Sequence, residues 1–114
     1  MAWESFGIEQ YDVSMVAHNT PGYPGIHGFI RLYWQGKQRA TLWFYRDGYT
    51  PIPANVAVIS GGSTTYYGRF GQGALAESVD LLRHEKPVFF QWNDASKGVF
   101  LCTGPEPVGE GELP

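Results

Sequence analysis

The stretch HGFIRLYWQGKQRATLWFYR, residues 27–46, decides the fold. Two alternations run through it, one on each side of a polar turn. Ile30, Leu32 and Trp34 alternate with Phe29, Arg31 and Tyr33. Beyond the turn, Ala40, Leu42 and Phe44 alternate with Thr41, Trp43 and Tyr45. A period of two is the mark of a strand with one buried face, so the stretch reads as a β-hairpin. Residues opposite each other on paired strands share a face. A two-residue Gly36-Lys37 loop would set Leu32 against Thr41 and Trp34 against Arg39, mixing core with polar. A loop of three residues, Gly36 to Gln38, or of five sets Leu32 against Leu42 and Ile30 against Phe44. One face is then wholly apolar, and because burial sets register, the odd loop is expected.

The second face of that hairpin carries Phe29, Arg31, Tyr33, Thr41, Trp43 and Tyr45. Arg31, Tyr33, Trp43 and Tyr45 are the residue types that dominate binding hot spots. Tyr and Trp offer large rigid contact area with a polar tip, and Arg can stack or pair. A protein or homodimer interface is the first expectation for this face. A concave pocket for a small ligand is the second, and stacking on single-stranded nucleic acid a third. The bland alternative is a second core, covered by the N-terminal strand or the Pro-rich loops.

Working outward, residues 6–18 alternate. Tyr11, Val13, Met15 and Ala17 share one face, Asp12, Ser14 and His18 the other. Phe6 and Ile8 have the opposite parity, which a bulge near Glu9-Gln10 would reconcile. Residues 19–25 form a loop stiffened by Pro21 and Pro24. Val56 to Ser60 reads as a short strand, Gly61-Gly62-Ser63 as a turn and Thr64 to Phe70 as the returning strand. Gly68 inside that strand marks a bulge or a close approach of another backbone.

Residues 73–85 carry the one helical pattern. Leu75, Val79 and Leu82 form the stripe, widened by Ala74, Ser78 and Leu81. Pro87 forces the exit. Residues 88–103 form a last hairpin across Asp94-Ala95-Ser96-Lys97. Both of its faces are largely apolar, which predicts a place inside the sheet. The fold class is α+β: one domain over residues 1–104, with a curved antiparallel sheet of about six or seven strands that can close toward a barrel. The helix is inserted before the last hairpin. A 13-residue helix covers only part of such a sheet. The remainder needs a second layer, closure or a partner chain.

Composition supports a packed core. Leu, Ile, Val and Phe number 27 of 114 residues, above the ~20% floor for foldable chains, and aromatics add to 16%. Net charge is −3. Glu106, Glu110 and Glu112 supply it from an acidic Pro/Gly-rich tail, residues 105–114, so the body is neutral. A neutral body lacks the field that draws phosphates, which argues against duplex nucleic acid. Cys102 is alone, which excludes an intrachain disulfide and a Cys-rich zinc site. No signal-type segment or apolar run of membrane length is visible, so a soluble cytoplasmic protein without membrane contact is expected.

Chemistry-bearing constellations are weak. His18 and His27, with Asp12 and Glu9, could converge on a metal, but their spacing matches no ligand motif. Solvated or hydrogen-bonded histidines are the commoner outcome. Cys102 lies mid-strand, where a thiol is inert. Ser60-Gly61-Gly62-Ser63 lacks the strand–turn–helix setting of a nucleophile elbow. Gly68 to Gly73 leads into a helix beside Arg69, a place where anions can bind, but glycines there also simply turn the chain. Asp12, if it points inward beside a Tyr or Arg31, would be a tuned carboxylate, but the alternation puts it on the polar face. No signature of lipocalins, OB-folds, cystatin-like folds or cupins stands at a defensible spacing.

The expectation is therefore a non-catalytic binding module without cofactor or metal. It would associate with a protein partner, or with itself, through Arg31, Tyr33, Trp43 and Tyr45. The alternative is a small-molecule binder or small enzyme. Its pocket would lie between helix and curved sheet, with Tyr66, Tyr67, Arg69 and His18 supplying polar groups.

Overall fold

The structure, a computed structural model, describes residues 3–105. The chain runs β1 (Trp3–Gly7), β2 (Gln10–Met15), β3 (Ile26–Trp34), β4 (Lys37–Tyr45), β5 (Val56–Ser60), β6 (Ser63–Gly71), α1 (Ala74–His84), β7 (Val88–Asn93) and β8 (Gly98–Thr103). This is the α+β class, with the helix before the final hairpin. The strands divide into two sheets, and neither closes into a barrel. A five-stranded sheet has the order β2-β3-β4-β6-β5, and a three-stranded sheet the order β1-β7-β8. The small sheet and α1 together cover the inner face of the large one. The second layer that a single short helix could not supply thus comes from the chain's own two ends.

The central hairpin, β3–β4, keeps the expected apolar face but reaches it by another route. Its turn is the two-residue Gln35-Gly36, at φ 52° and 74°, with Trp34 opposite Lys37. Both central residues are left-handed, as the hairpin turns that match strand twist require. Such a turn alone would put Leu32 against Arg39. A bulge takes up the extra residue: Tyr33 pairs with Gln38 but Leu32 pairs with Ala40, leaving Arg39 as the inserted one. Leu32 and Ile30 thus face Ala40 and Leu42 rather than the expected Leu42 and Phe44, and a second irregularity at His27 sets Ile26 against Tyr45. Ile30, Leu32, Ala40, Leu42 and Phe44 all end fully buried.

Against them pack Phe6, Phe90 and Trp92 from the small sheet, together with Tyr66 and Leu75. Phe6 and Phe90 stack at 5.0 Å. Gly68 makes room for side chains, not for the bulge or second backbone its strand position suggested. A Cβ there would lie 2.9 Å from Val99 Cγ1 and 3.2 Å from Leu42 Cδ2, so the two sheets meet over a residue with no side chain.

The parity change near Glu9 is a sheet crossing, not a bulge. The Ile8 N–H donates to the Val88 carbonyl of the small sheet, and the Glu9 N–H donates to the Tyr33 carbonyl of the large one, each at 2.9 Å. Consecutive residues thus belong to different layers, and the apolar side changes with the layer. Two further expectations are corrected. The sheet is not purely antiparallel: β6 returns from β5 and inserts beside β4, which it parallels from Ala40↔Tyr66 to Tyr45↔Gly71. The last hairpin is not interior as a whole. β7 is central, but β8 is an edge, and Phe100 on its outer side is 43% exposed against Trp3.

The helix follows its pattern. Leu75 and Ser78 are buried, and Ala74, Val79 and Leu82 pack on the core. Among the described residues no helix is long and apolar enough to cross a membrane. Residues 106–114, nearly all of the acidic tail, lie outside the described residues.

Candidate functional site: an aromatic groove on the outer sheet face

The outer face of the large sheet is where most of the singled-out residues gather, but they divide into two groups. The first is a latch between β2 and β3. Arg31 Nε donates to Asp12 Oδ1 at 2.8 Å, and the Tyr33 hydroxyl donates to Asp12 Oδ2 at 2.8 Å. Asp12 sits directly opposite Arg31 in the ladder. The hydrogen bond from the Arg31 guanidinium holds the Asp12 carboxyl below its ordinary value of 3.8, aided by Tyr33 and opposed by partial burial. The Tyr33 hydroxyl's own hydrogen bond to Asp12 raises the Tyr33 phenol. Asp12 thus lies beside a Tyr and Arg31, but on the outer, polar face where the alternation puts it rather than pointing inward. Arg31 commits its Nε and Tyr33 its hydroxyl to this latch.

The second group lines a groove of about 370 Å³. Trp43 and Tyr45 from β4, Tyr67 and Arg69 from β6, and Val56 and Val58 from β5 form its floor. The order β4-β6-β5 is what brings them together. The parallel insertion of β6 sets Arg69 beside Trp43, and the β5–β6 hairpin sets Val56 beside Tyr67. Two loops make the walls, contributing Tyr23 and Pro24 on one side and Tyr49 and Pro53 on the other. Tyr23 stacks on Phe29 at 6.2 Å, which itself meets Trp43 at 4.8 Å. Tyr49 stacks on Tyr45 at 5.5 Å. Gly25, at φ 72°, lets the Tyr49 ring lie against its backbone, where any Cβ would overlap the ring.

The loop walls are fastened. The Arg69 N–H donates to Asn55 Oδ1 at 2.7 Å and Asn55 Nδ2 donates to the Lys97 carbonyl at 3.0 Å. Arg69 Nη1 donates to the Ala54 carbonyl at 2.7 Å. Arg46 Nη2 donates to the Val16 carbonyl at 2.7 Å. Arg69 is the charged group of the groove. Among the described residues it makes no ion pair, and its buried Nε has no hydrogen-bond partner. Tyr45 is 6% exposed. Burial raises its phenol above 10.0, against the pull of nearby Arg69.

The four residues of the expected interface thus separate. Trp43 and Tyr45 enter the groove, while Arg31 and Tyr33 belong to the latch. The four residues of the expected helix–sheet pocket separate as well. Tyr67 and Arg69 line the aromatic groove on the outer face. Tyr66 points inward, is 5% exposed and packs on Phe90 and Trp92, because adjacent strand residues face opposite ways. His18 lies on the exposed 16–25 loop, beside a different hollow. A groove does exist between α1 and β2, of about 610 Å³, but Val13, Met15, His27 and Leu75 line it and none of the four expected residues does. Among the described residues no three His, Cys, Asp or Glu side chains converge to hold a metal, so His18 and His27 do not meet over Asp12 and Glu9.

Sequence reasoning missed Tyr23, Tyr49 and the β5 valines. A signal for the tyrosines was present: each is set in a Gly/Pro-rich turn, where a large ring serves no local purpose. No known protein family, curated protein or solved structure matches this chain.

Proposed function

We propose that the protein is a non-catalytic binding module that takes up a segment of a partner protein in the aromatic groove. The observation that carries this reading is the composition of the groove: Trp and Tyr rings around one guanidinium that has no ion-pair partner among the described residues. Trp, Tyr and Arg concentrate binding energy at protein interfaces. The rim supports a protein segment over an enclosed small molecule. Tyr23, Tyr49, Val56 and Val58 are each 38–44% exposed, whereas small-molecule pockets bury most of their ligand. An apolar or aromatic side chain fits over Trp43 and Tyr67, and a carboxylate next to it pairs with Arg69. This keeps association as the function but moves its centre from Arg31 and Tyr33 to Trp43, Tyr67 and Arg69.

A displayed random-peptide library, selected on the wild-type protein and counter-selected on Trp43→Ala, tests the reading. The expected result is enrichment of peptides that combine an aromatic or branched residue with Asp or Glu. Their binding shifts the amide resonances of Trp43, Tyr67 and Arg69, and weakens at least about tenfold in Arg69→Ala, ~1.4 kcal/mol. No enrichment, or binding that maps to another face, overturns it.

A further inference from the structure

β5 is the last strand of the large sheet, and among the described residues its outer edge has no neighbour. Gly61 and Gly62, at φ 58° and 80°, make a two-residue turn between Ser60 and Ser63. In such a hairpin the flanking residues are the closing hydrogen-bonded pair. Alternation along an antiparallel ladder then turns Ser60, Val58 and Val56 toward β6. It leaves the N–H and C=O groups of Ala57 and Ile59 facing outward. The chemistry that satisfies such a row is another β-strand.

Edges of sheets are usually guarded by charge, Pro or a bulge. This one has no such guard. Residues 48–68 contain no Asp, Glu, Lys, Arg or His, in a chain that holds 22 of them. Ile59 is 77% exposed and Val58 44%. The opposite edge of the same sheet, β2, carries Asp12 in its middle, engaged by Arg31.

We propose that β5 pairs antiparallel with β5 of a second copy, about a two-fold axis at Val58, joining two five-stranded sheets into one. The strand is complementary to itself in that register. Ala57 falls opposite the partner's Ile59, and Ile59 opposite the partner's Ala57. Those are the residues whose backbone groups face outward, so four hydrogen bonds form. The smallest side chain of the strand meets the largest twice, and Val58 meets its own copy. No like charges oppose each other, which a two-fold axis would otherwise guarantee for any charged residue near it. Five-residue strands make a small contact, at the low end of specific interfaces, so the dimer forms at micromolar rather than nanomolar concentration. Val56 and Val58 also line the aromatic groove, so the pairing sets two grooves side by side.

Sedimentation across a dilution series from ~1 µM to ~1 mM tests this, with amide exchange at both ends of the range. The expected result is a reversible monomer–dimer equilibrium. Exchange at Ala57 and Ile59 slows at least about tenfold at high concentration, while Val56 and Val58, already bonded within the sheet, change little. Ile59→Lys, at a highly exposed position, keeps the fold by circular dichroism and stays monomeric throughout. A wild-type monomer up to ~1 mM overturns the proposal. So does a dimer that survives Ile59→Lys, or one without protection at Ala57 and Ile59, either of which places the contact elsewhere or with a strand of another protein. Ile59 does not line the groove, so Ile59→Lys retains peptide binding there, and failure here leaves the groove reading standing.

Discussion

Asp12 shows how one residue can set what its neighbours do. Its two carboxylate oxygens hold Arg31 and Tyr33 in place, and β2 is fastened to β3 by side chains as well as backbone. A carboxyl whose folded value is lowered adds stability above its unfolded value, and that stability is lost as pH falls through the folded one. For Asp12 the loss therefore falls below about 3.8. Asp12→Asn is expected to lower the wild-type melting temperature at pH 7, and the difference between the two proteins is expected to shrink progressively as pH falls below about 3.8. Thermal melts of both proteins across that range check it, and a constant difference at all pH values would assign the cost to packing. The effect is small, since the Asp12 and Arg31 side chains are each 41% exposed.

At the scale of the element, the β3–β4 hairpin depends on Arg39. Its side chain lies over the rings of Phe6 and Trp34, 5.4 and 5.1 Å from their centroids. Its backbone is the inserted residue that keeps Ala40, Leu42 and Phe44 on the core side. Deleting Arg39 removes the bulge and leaves a regular hairpin in which Gln38 still faces Tyr33 and Ala40 still faces Leu32. The deletion is expected to fold, at the cost of the ring contacts, about 0.5–2 kcal/mol. Deleting Ala40 instead puts Arg39 opposite Leu32, inside the core. That variant is expected not to fold, because an unpaired buried charge costs several kcal/mol. Cross-strand contacts between Ile30 and Leu42 in the Arg39 deletion, read by NMR, decide whether the register is as described. Alternation alone marks which side chains face inward. It could not distinguish an odd loop from an even loop plus a bulge, because both restore the same parity. Only the left-handed conformations of Gln35 and Gly36 separate the two.

At the scale of the whole molecule, two tryptophans report on two surfaces. Trp92 is 2% exposed between the sheets. Trp43 is half-buried on the outer face. Trp92→Ala is expected to cost about 3–5 kcal/mol and lower the denaturation midpoint sharply. Trp43→Ala removes less buried area and is expected to cost about 1–2 kcal/mol, leaving a folded protein whose groove no longer binds. Chemical denaturation of both variants measures the difference. Equal costs would make Trp43 a core residue and remove the reason to see a recognition surface there.

The sequence by itself determined the helix, the three hairpins, the apolar face of β3–β4 and the aromatic character of its other face. These are local facts, set by periodicity and turn chemistry over a few neighbouring residues. Where Phe6 and Tyr11 belong, why β6 runs parallel to β4, and why Tyr66 and Tyr67 point into different surroundings were decided by tertiary structure. Each depends on which strands become neighbours, and strands distant in sequence choose partners by burying area jointly, a property no single stretch carries. The groove has the same origin. Its aromatic and valine side chains come from two loops and from β4, β5 and β6, and the sheet order β4-β6-β5 brings them around one guanidinium.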